Sequence, residues 1–104
     1  MAKALIIGTG AVATVGAQKV AQNYKVFSQL IIASRTKAKV DDLVSRCQKY
    51  PLQVIGETVD AENIPSLVKL IEKYKPDIVM NLALPYQNIP IMEACIQTKT
   101  HYLD

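Results

Sequence analysis

The 104-residue sequence has little of what several common chemistries require. It holds two cysteines and one histidine. Cys47 and Cys95 lack CxxC spacing and fall in helical patterns without clustered histidines. That excludes a disulfide scaffold and a metal-ligand set, and predicts reduced, buried thiols. Nothing in the sequence pairs His101 with a nucleophile or a second ligand, which leaves it a structural role on an edge strand. The net charge is only +3, and the twelve Lys and Arg residues are scattered. No block of roughly five or six like charges marks a nucleic-acid partner. No apolar stretch approaches the ~20 residues of a membrane span, and the first residues lack a long apolar signal region with a cleavage site. A cytoplasmic setting is expected. Repeats, linkers and low-complexity segments are also missing, so the length allows one compact domain with a modest core, 1–104, and no second.

What is present is a regular alternation of short apolar runs and helical patterns. Ala4-Leu5-Ile6-Ile7 reads as a buried strand running straight into Gly8-Thr9-Gly10-Ala11-Val12-Ala13. Val12, Val15, Gly16 and Val20 then recur at helical spacing to about Asn23, with Ala13 and Ala17 small enough to let the helix lie close on a sheet. Leu30-Ile31-Ile32-Ala33 is a second strand, and Val40, Leu43, Val44 and Cys47 give the face of a second helix, ended by Pro51. A third strand covers Leu52 to Ile55. Asn63 is the expected N-cap of a third helix, with Pro65 in its first turn and Ile64, Leu67, Val68 and Ile71 as its buried stripe. Lys75-Pro76-Asp77 closes that helix, and Ile78-Val79-Met80 continues into Asn81-Leu82-Ala83 as strand four and its exit. Asn88-Ile89-Pro90 opens a fourth helix with Ile91, Met92, Cys95 and Ile96 inward, and Thr100-His101-Tyr102-Leu103 is a fifth strand. Strands separated by single helices predict an α/β fold, a Rossmann-type parallel sheet of order 3-2-1-4-5 with helices on both faces and strand five at an edge.

The turn after the first strand is a dinucleotide-binding fingerprint with alanine at the third glycine position. Gly8 lets the chain turn tightly, and Gly10, lacking a Cβ, lets the backbone approach a pyrophosphate. The amides of Ala11 and Val12, at the start of the helix, would face the anion. The end of strand two decides between the nicotinamide cofactors. An acid there would bind the ribose 2′-hydroxyl and repel a 2′-phosphate, and none is present. Ser34, Arg35 and Thr36 offer hydroxyls and a guanidinium instead, which predicts NADPH over NADH, Arg35 stacking on adenine while it pairs with the phosphate. The competing reading makes Ser34 the cap of the second helix and Arg35 and Lys37 solvated charges.

Asp60 follows strand three, where this fold places a side chain beside the adenine, with Val59 and Ala61 as ring contacts. A turn acid before a helix is the other reading. Asn81, Ala83 and Leu84 leave strand four at the topological switch point and are candidates for the nicotinamide ribose. Tyr86 is a catalytic candidate against a packing role. Asp104 is another, at the carboxyl end of a strand, against a frayed last residue.

Met1-Ala2-Lys3-Ala4-Leu5-Ile6-Ile7-Gly8, Ala33-Ser34-Arg35-Thr36, Asn81-Leu82-Ala83-Leu84-Pro85-Tyr86-Gln87 and His101-Tyr102-Leu103-Asp104 together resemble the saccharopine dehydrogenase-like family, nearest to its carboxynorspermidine (carboxyspermidine) dehydrogenase branch. The resemblance covers the whole chain but only the amino-terminal part of such enzymes. It implies an NADPH-dependent oxidoreductase acting on C–N bonds. An amine and a semialdehyde condense to an imine, and hydride transfer makes a secondary amine. It further implies that the small-molecule substrates bind through a second domain outside this sequence, that the full-length enzyme is a homodimer, and that this part alone has no turnover. By position, the fingerprint glycines would hold the pyrophosphate, Ser34, Arg35 and Thr36 the 2′-phosphate, and Leu84-Pro85-Tyr86 would line the nicotinamide end. The family more often has glycine at the positions of Ala11 and Ala13.

Two other classes stay in view. A regulatory nucleotide-binding module without catalysis shares the fingerprint but usually carries an acid at the end of strand two. A short-chain reductase or epimerase needs Tyr-x-x-x-Lys, and no tyrosine here has a lysine four residues on.

Overall fold

The computed structural model describes residues 2–83 and 88–104. The chain alternates strictly: β1 (Ala2–Ile7), α1 (Ala11–Gln22), β2 (Phe27–Ser34), α2 (Lys37–Cys47), β3 (Gln53–Thr58), α3 (Ile64–Tyr74), β4 (Ile78–Asn81), α4 (Asn88–Thr98) and β5 (His101–Leu103). The five strands form one sheet of order β3-β2-β1-β4-β5, all neighbours parallel, as the alternation predicts. Leu5 of β1 stands opposite Ile31 of β2 and Val79 of β4, so the most apolar strand is also the central one. Beyond the ladder, the Lys3 N–H donates to the Asp77 carboxylate at 2.7 Å and the Asp77 N–H to the Lys3 carbonyl at 2.8 Å.

Side chains alternate across a strand, so β1 and β2 feed two cores. Ala4, Ile6, Leu30 and Ile32 meet Ala13, Ala17 and Val20 of α1 and Leu43 and Cys47 of α2 on one face. Leu5, Ile7, Ile31 and Ala33 meet Leu67 and Ile71 of α3 and Ile91 and Cys95 of α4 on the other. No helix among the described residues is long and apolar enough to cross a membrane.

Local signals hold at several boundaries. The Asn63 side chain accepts the Ser66 N–H at 3.0 Å, capping α3, and Lys75 ends that helix in the left-handed region at φ 50° before Pro76. α2 stops at Cys47, ahead of Pro51, and β3 runs on to Thr58.

Two helices leave outside some of the residues that their apolar spacing turns inward. In α1, Val12 and Val15 are 66% and 61% exposed, while Ala13, Ala17 and Ala21 are fully buried. The reason is distance: a β-carbon on Gly16 would lie 2.7 Å from Leu82 Cδ1, and so close an approach admits alanines and glycine but no row of valines. In α4, Met92 and Ile96 face outward, and Ile91, Ala94 and Cys95 face the core. That helix is apolar on more than one side, so its periodicity does not fix its rotation.

Candidate functional site

The carboxyl ends of four strands are knitted level by hydrogen bonds that outlast the ladder. The Gly8 N–H donates to the Ala33 carbonyl at 2.9 Å, the Leu82 N–H to the Ile7 carbonyl at 2.9 Å, and the Val59 N–H to the Ser34 carbonyl at 3.0 Å. All four βα turns that carry the predicted site therefore start from one rigid rim, at the point where the chain order reverses between β1 and β4.

Gly8 has φ +123°, and a β-carbon there would lie 2.9 Å from the Ala83 nitrogen and the Leu82 carbonyl group. Only glycine satisfies both the backbone angle and the crossing of the β4 exit. Gly10 is different: it is the extended N-cap of α1, at φ −77°, and no described residue stands within 4 Å of where its β-carbon would be. Its missing side chain leaves open space above the helix end. Thr14 turns back on Gly10, its amide and its hydroxyl each 2.9 Å from the Gly10 carbonyl. No side chain caps α1 and no acid sits in its first turn. Among the described residues its leading amides thus face a clear approach, the arrangement that favours a phosphate.

A groove of about 480 Å³ runs along this rim. Its floor is the fingerprint turn from Gly8 to Val12, one side is Ser34, Arg35 and Thr36, and the other is Leu82 and Ala83. A narrower recess continues beneath Arg35 to Val59 and Ala61. The structure therefore gathers Gly8, Gly10, Ala11, Val12, Ser34, Arg35, Thr36, Ala61 and Ala83 along one continuous surface. The Thr9 hydroxyl donates to Ser34 Oγ at 3.3 Å and ties the first turn to the second. Ser34 is not the cap of α2; Thr36 holds that position without a side-chain bond. Lys37 points away, in an ion pair with Asp41 at 2.8 Å.

Thr9, Lys39 and Leu82 also line the groove, and sequence reasoning missed their part in it. Lys39 was within reach, since it follows the Thr36 cap by three residues and so shares its face of the helix. Arg35 and Asp60 do come together, but as an ion pair. Arg35 Nη2 lies 4.0 Å from Asp60 Oδ1 and 3.4 Å from Glu62 Oε2. Asp60 is also a turn acid, its Oδ1 accepting the Glu62 N–H at 3.0 Å.

At the β4 end, Asn81 is only 5% exposed and its amide is turned inward. Its Oδ1 accepts the Ala83 N–H at 3.0 Å, and its Nδ2 donates to Asn88 Oδ1 and, at 3.3 Å, to the Tyr102 hydroxyl. The Tyr102 hydroxyl donates in turn to the Asp104 carboxylate at 3.2 Å, and burial raises its pKa above the ordinary phenol value. Asp104 is thereby linked to the β4 exit, while His101 is exposed on the edge strand. Leu84, Pro85 and Tyr86 lie outside the described residues. Cys47 and Cys95 are free and buried, and burial raises both thiols, Cys95 to about 11. Among the described residues no His, Cys, Asp and Glu cluster fit to hold a metal exists.

Comparison with known proteins follows the same line. The chain is 42% identical to the carboxynorspermidine synthase of Vibrio cholerae over 96% of its length, and 36% identical to the carboxyaminopropylagmatine dehydrogenase of Synechocystis sp. over all of it. It spans about a quarter of the length of these relatives, 26% and 25% respectively. NAD+-bound xylitol dehydrogenase superposes with a TM-score of 0.78 at 8% identity, covering 96% of this chain and 50% of that one. The ATP complex of an E. coli tRNA N6-threonylcarbamoyladenosine dehydratase superposes at 0.76 with 13% identity, over 97% of this chain and 49% of that one. Likeness at that level carries the fold alone. Residues 4–104 match the family described as saccharopine dehydrogenase NADP binding domain, and NADP is the cofactor that description gives. The chain belongs to the saccharopine dehydrogenase NADP binding domain family.

Proposed function

We propose that this chain is the cofactor domain, a single unit over residues 1–104, of a cytoplasmic, NADPH-dependent reductase that joins an amine to a semialdehyde through a C–N bond. The observation that carries the reading is the single groove in which the uncapped start of α1 and the Ser34-Arg35-Thr36 turn face each other. The leading amides of α1, over Gly10, would hold the pyrophosphate. Ser34, Arg35 and Thr36 would hold the 2′-phosphate, with Ala61 and Asp60 at the adenine. Ala83 would border the nicotinamide ribose, followed by Leu84 and Pro85, and Asn81 would hold that exit in shape through the Ala83 amide. When bound, NADPH supplies a hydride that reduces a carbon–nitrogen double bond to a secondary amine. The names of the two relatives support a polyamine-like amine as the partner. The amine and aldehyde sites, and Tyr86 or Asp104 if either touches substrate, belong to the part of the reading that rests on a longer enzyme.

Calorimetric titration with NADPH and NADH side by side tests it. NADPH should bind more tightly, and Arg35→Ala should weaken NADPH by roughly ten- to a hundredfold, the scale of one charge-assisted hydrogen bond, while leaving NADH nearly unchanged. Equal or absent binding of the two would favour a regulatory nucleotide module instead.

A further inference from the structure

The acid that the end of β2 lacks arrives from another direction. Ser34 of β2 pairs in register with Thr58 of β3, so the residues after both strands emerge side by side. Between Asp60 and Asn63 the backbone tasks are divided. Asp60 accepts the Glu62 amide and shapes the turn, and Asn63 caps α3. Glu62 has no such duty, and its carboxylate reaches Arg35 Nη2 at 3.4 Å. Among the described residues Arg35 is its one ion-pair partner, since Lys37 is held by Asp41 and Lys73 by Glu57.

We propose that Glu62 is a selectivity residue that competes with the cofactor's 2′-phosphate for Arg35. The inference rests on the reading that Arg35 receives that phosphate. With no cofactor, Glu62 holds the guanidinium at the mouth of the groove. NADPH must then displace Glu62 from the guanidinium, replacing one anion by another, whereas NADH makes no such demand. Glu62 therefore lowers affinity for NADPH and leaves NADH nearly untouched, narrowing a preference that Arg35 alone would make wider. All three side chains in this group are more than half exposed, which keeps the effect modest and sensitive to salt.

The test is a double-mutant cycle by calorimetry at low ionic strength, with NADPH and NADH titrated into the unaltered chain, Glu62→Gln, Arg35→Ala and the pair combined. Glu62→Gln should tighten NADPH by about two- to fivefold, the range for an exposed ion pair, with NADH unchanged. In the Arg35→Ala background the same substitution should do nothing. Unchanged or weaker NADPH binding in Glu62→Gln overturns the proposal. So does tightening that persists without Arg35, because Glu62 would then act through its own field and not through the pair. If Arg35→Ala alone leaves the preference intact, the assignment of Arg35 to the phosphate fails first and this proposal falls with it.

Discussion

Gly8 and Ala83 approach so closely that a β-carbon on Gly8 would lie 2.9 Å from the Ala83 backbone nitrogen. The first βα turn and the β4 exit thus share one wall, and the atom that must be missing is known.

Gly8→Ala should accordingly destabilise the fold by about 2 kcal/mol or more, from an unfavourable φ combined with a backbone clash. Gly10→Ala should leave stability within about 1 kcal/mol, since its φ suits any residue and the space is open. Yet Gly10→Ala should weaken NADPH. Urea unfolding and calorimetry on the two variants separate these roles, and equal loss of stability in both would contradict the assignment.

Asn81→Ala removes the acceptor of the Ala83 amide and the donor to Asn88 and Tyr102. A buried group left unpartnered costs about 1–3 kcal/mol, which a urea midpoint should register. Tyr102→Phe, which loses only the outer end of the network, should cost less.

Lys73 and the Tyr74 hydroxyl both bond the Glu57 carboxylate, and the Lys73 bond above all holds its pKa below the usual carboxylate value. A depressed folded pKa means that the contribution is fully present above the unfolded value, about 4.3, and is lost as pH falls through the folded one. The stability difference between the unaltered chain and Glu57→Gln should therefore be constant near neutrality and fade below about pH 4. A difference that persists undiminished to pH 2 would show that the ion pair is not its source.

Burial pushes the Cys95 thiol up to about 11, and Cys47 is also buried. Neither should react with a thiol reagent at pH 8 in the folded protein, and both should react at once in denaturant. Fast labelling of the native chain would place a thiol at the surface.

The strand order was legible because each apolar run is followed by one helix, a pattern that only a parallel sheet with crossovers accommodates. Asn63 was legible because capping is local chemistry within four residues. The outward turn of Val12 and Val15 in α1 was not, since it depends on how closely Gly16 lets the helix approach Leu82, a distance set by residues far apart in the chain. The same holds for Arg35 and Glu62, which meet only through the register of β2 on β3. Asn81 shows a third kind of limit. An amide at the end of a strand looks the same in sequence whether it serves a ligand or its own backbone, and here its hydrogen bonds turn inward.

The central place of β1 has a consequence for synthesis. A ribosome releases β1 first and β2 soon after, but β4 emerges only when residue 81 has left the exit tunnel. Until then one side of the most apolar strand stands unpaired, and Lys3 waits for Asp77. The nascent chain therefore carries its future core as its most adhesive surface, and the sheet closes late, from the middle outward.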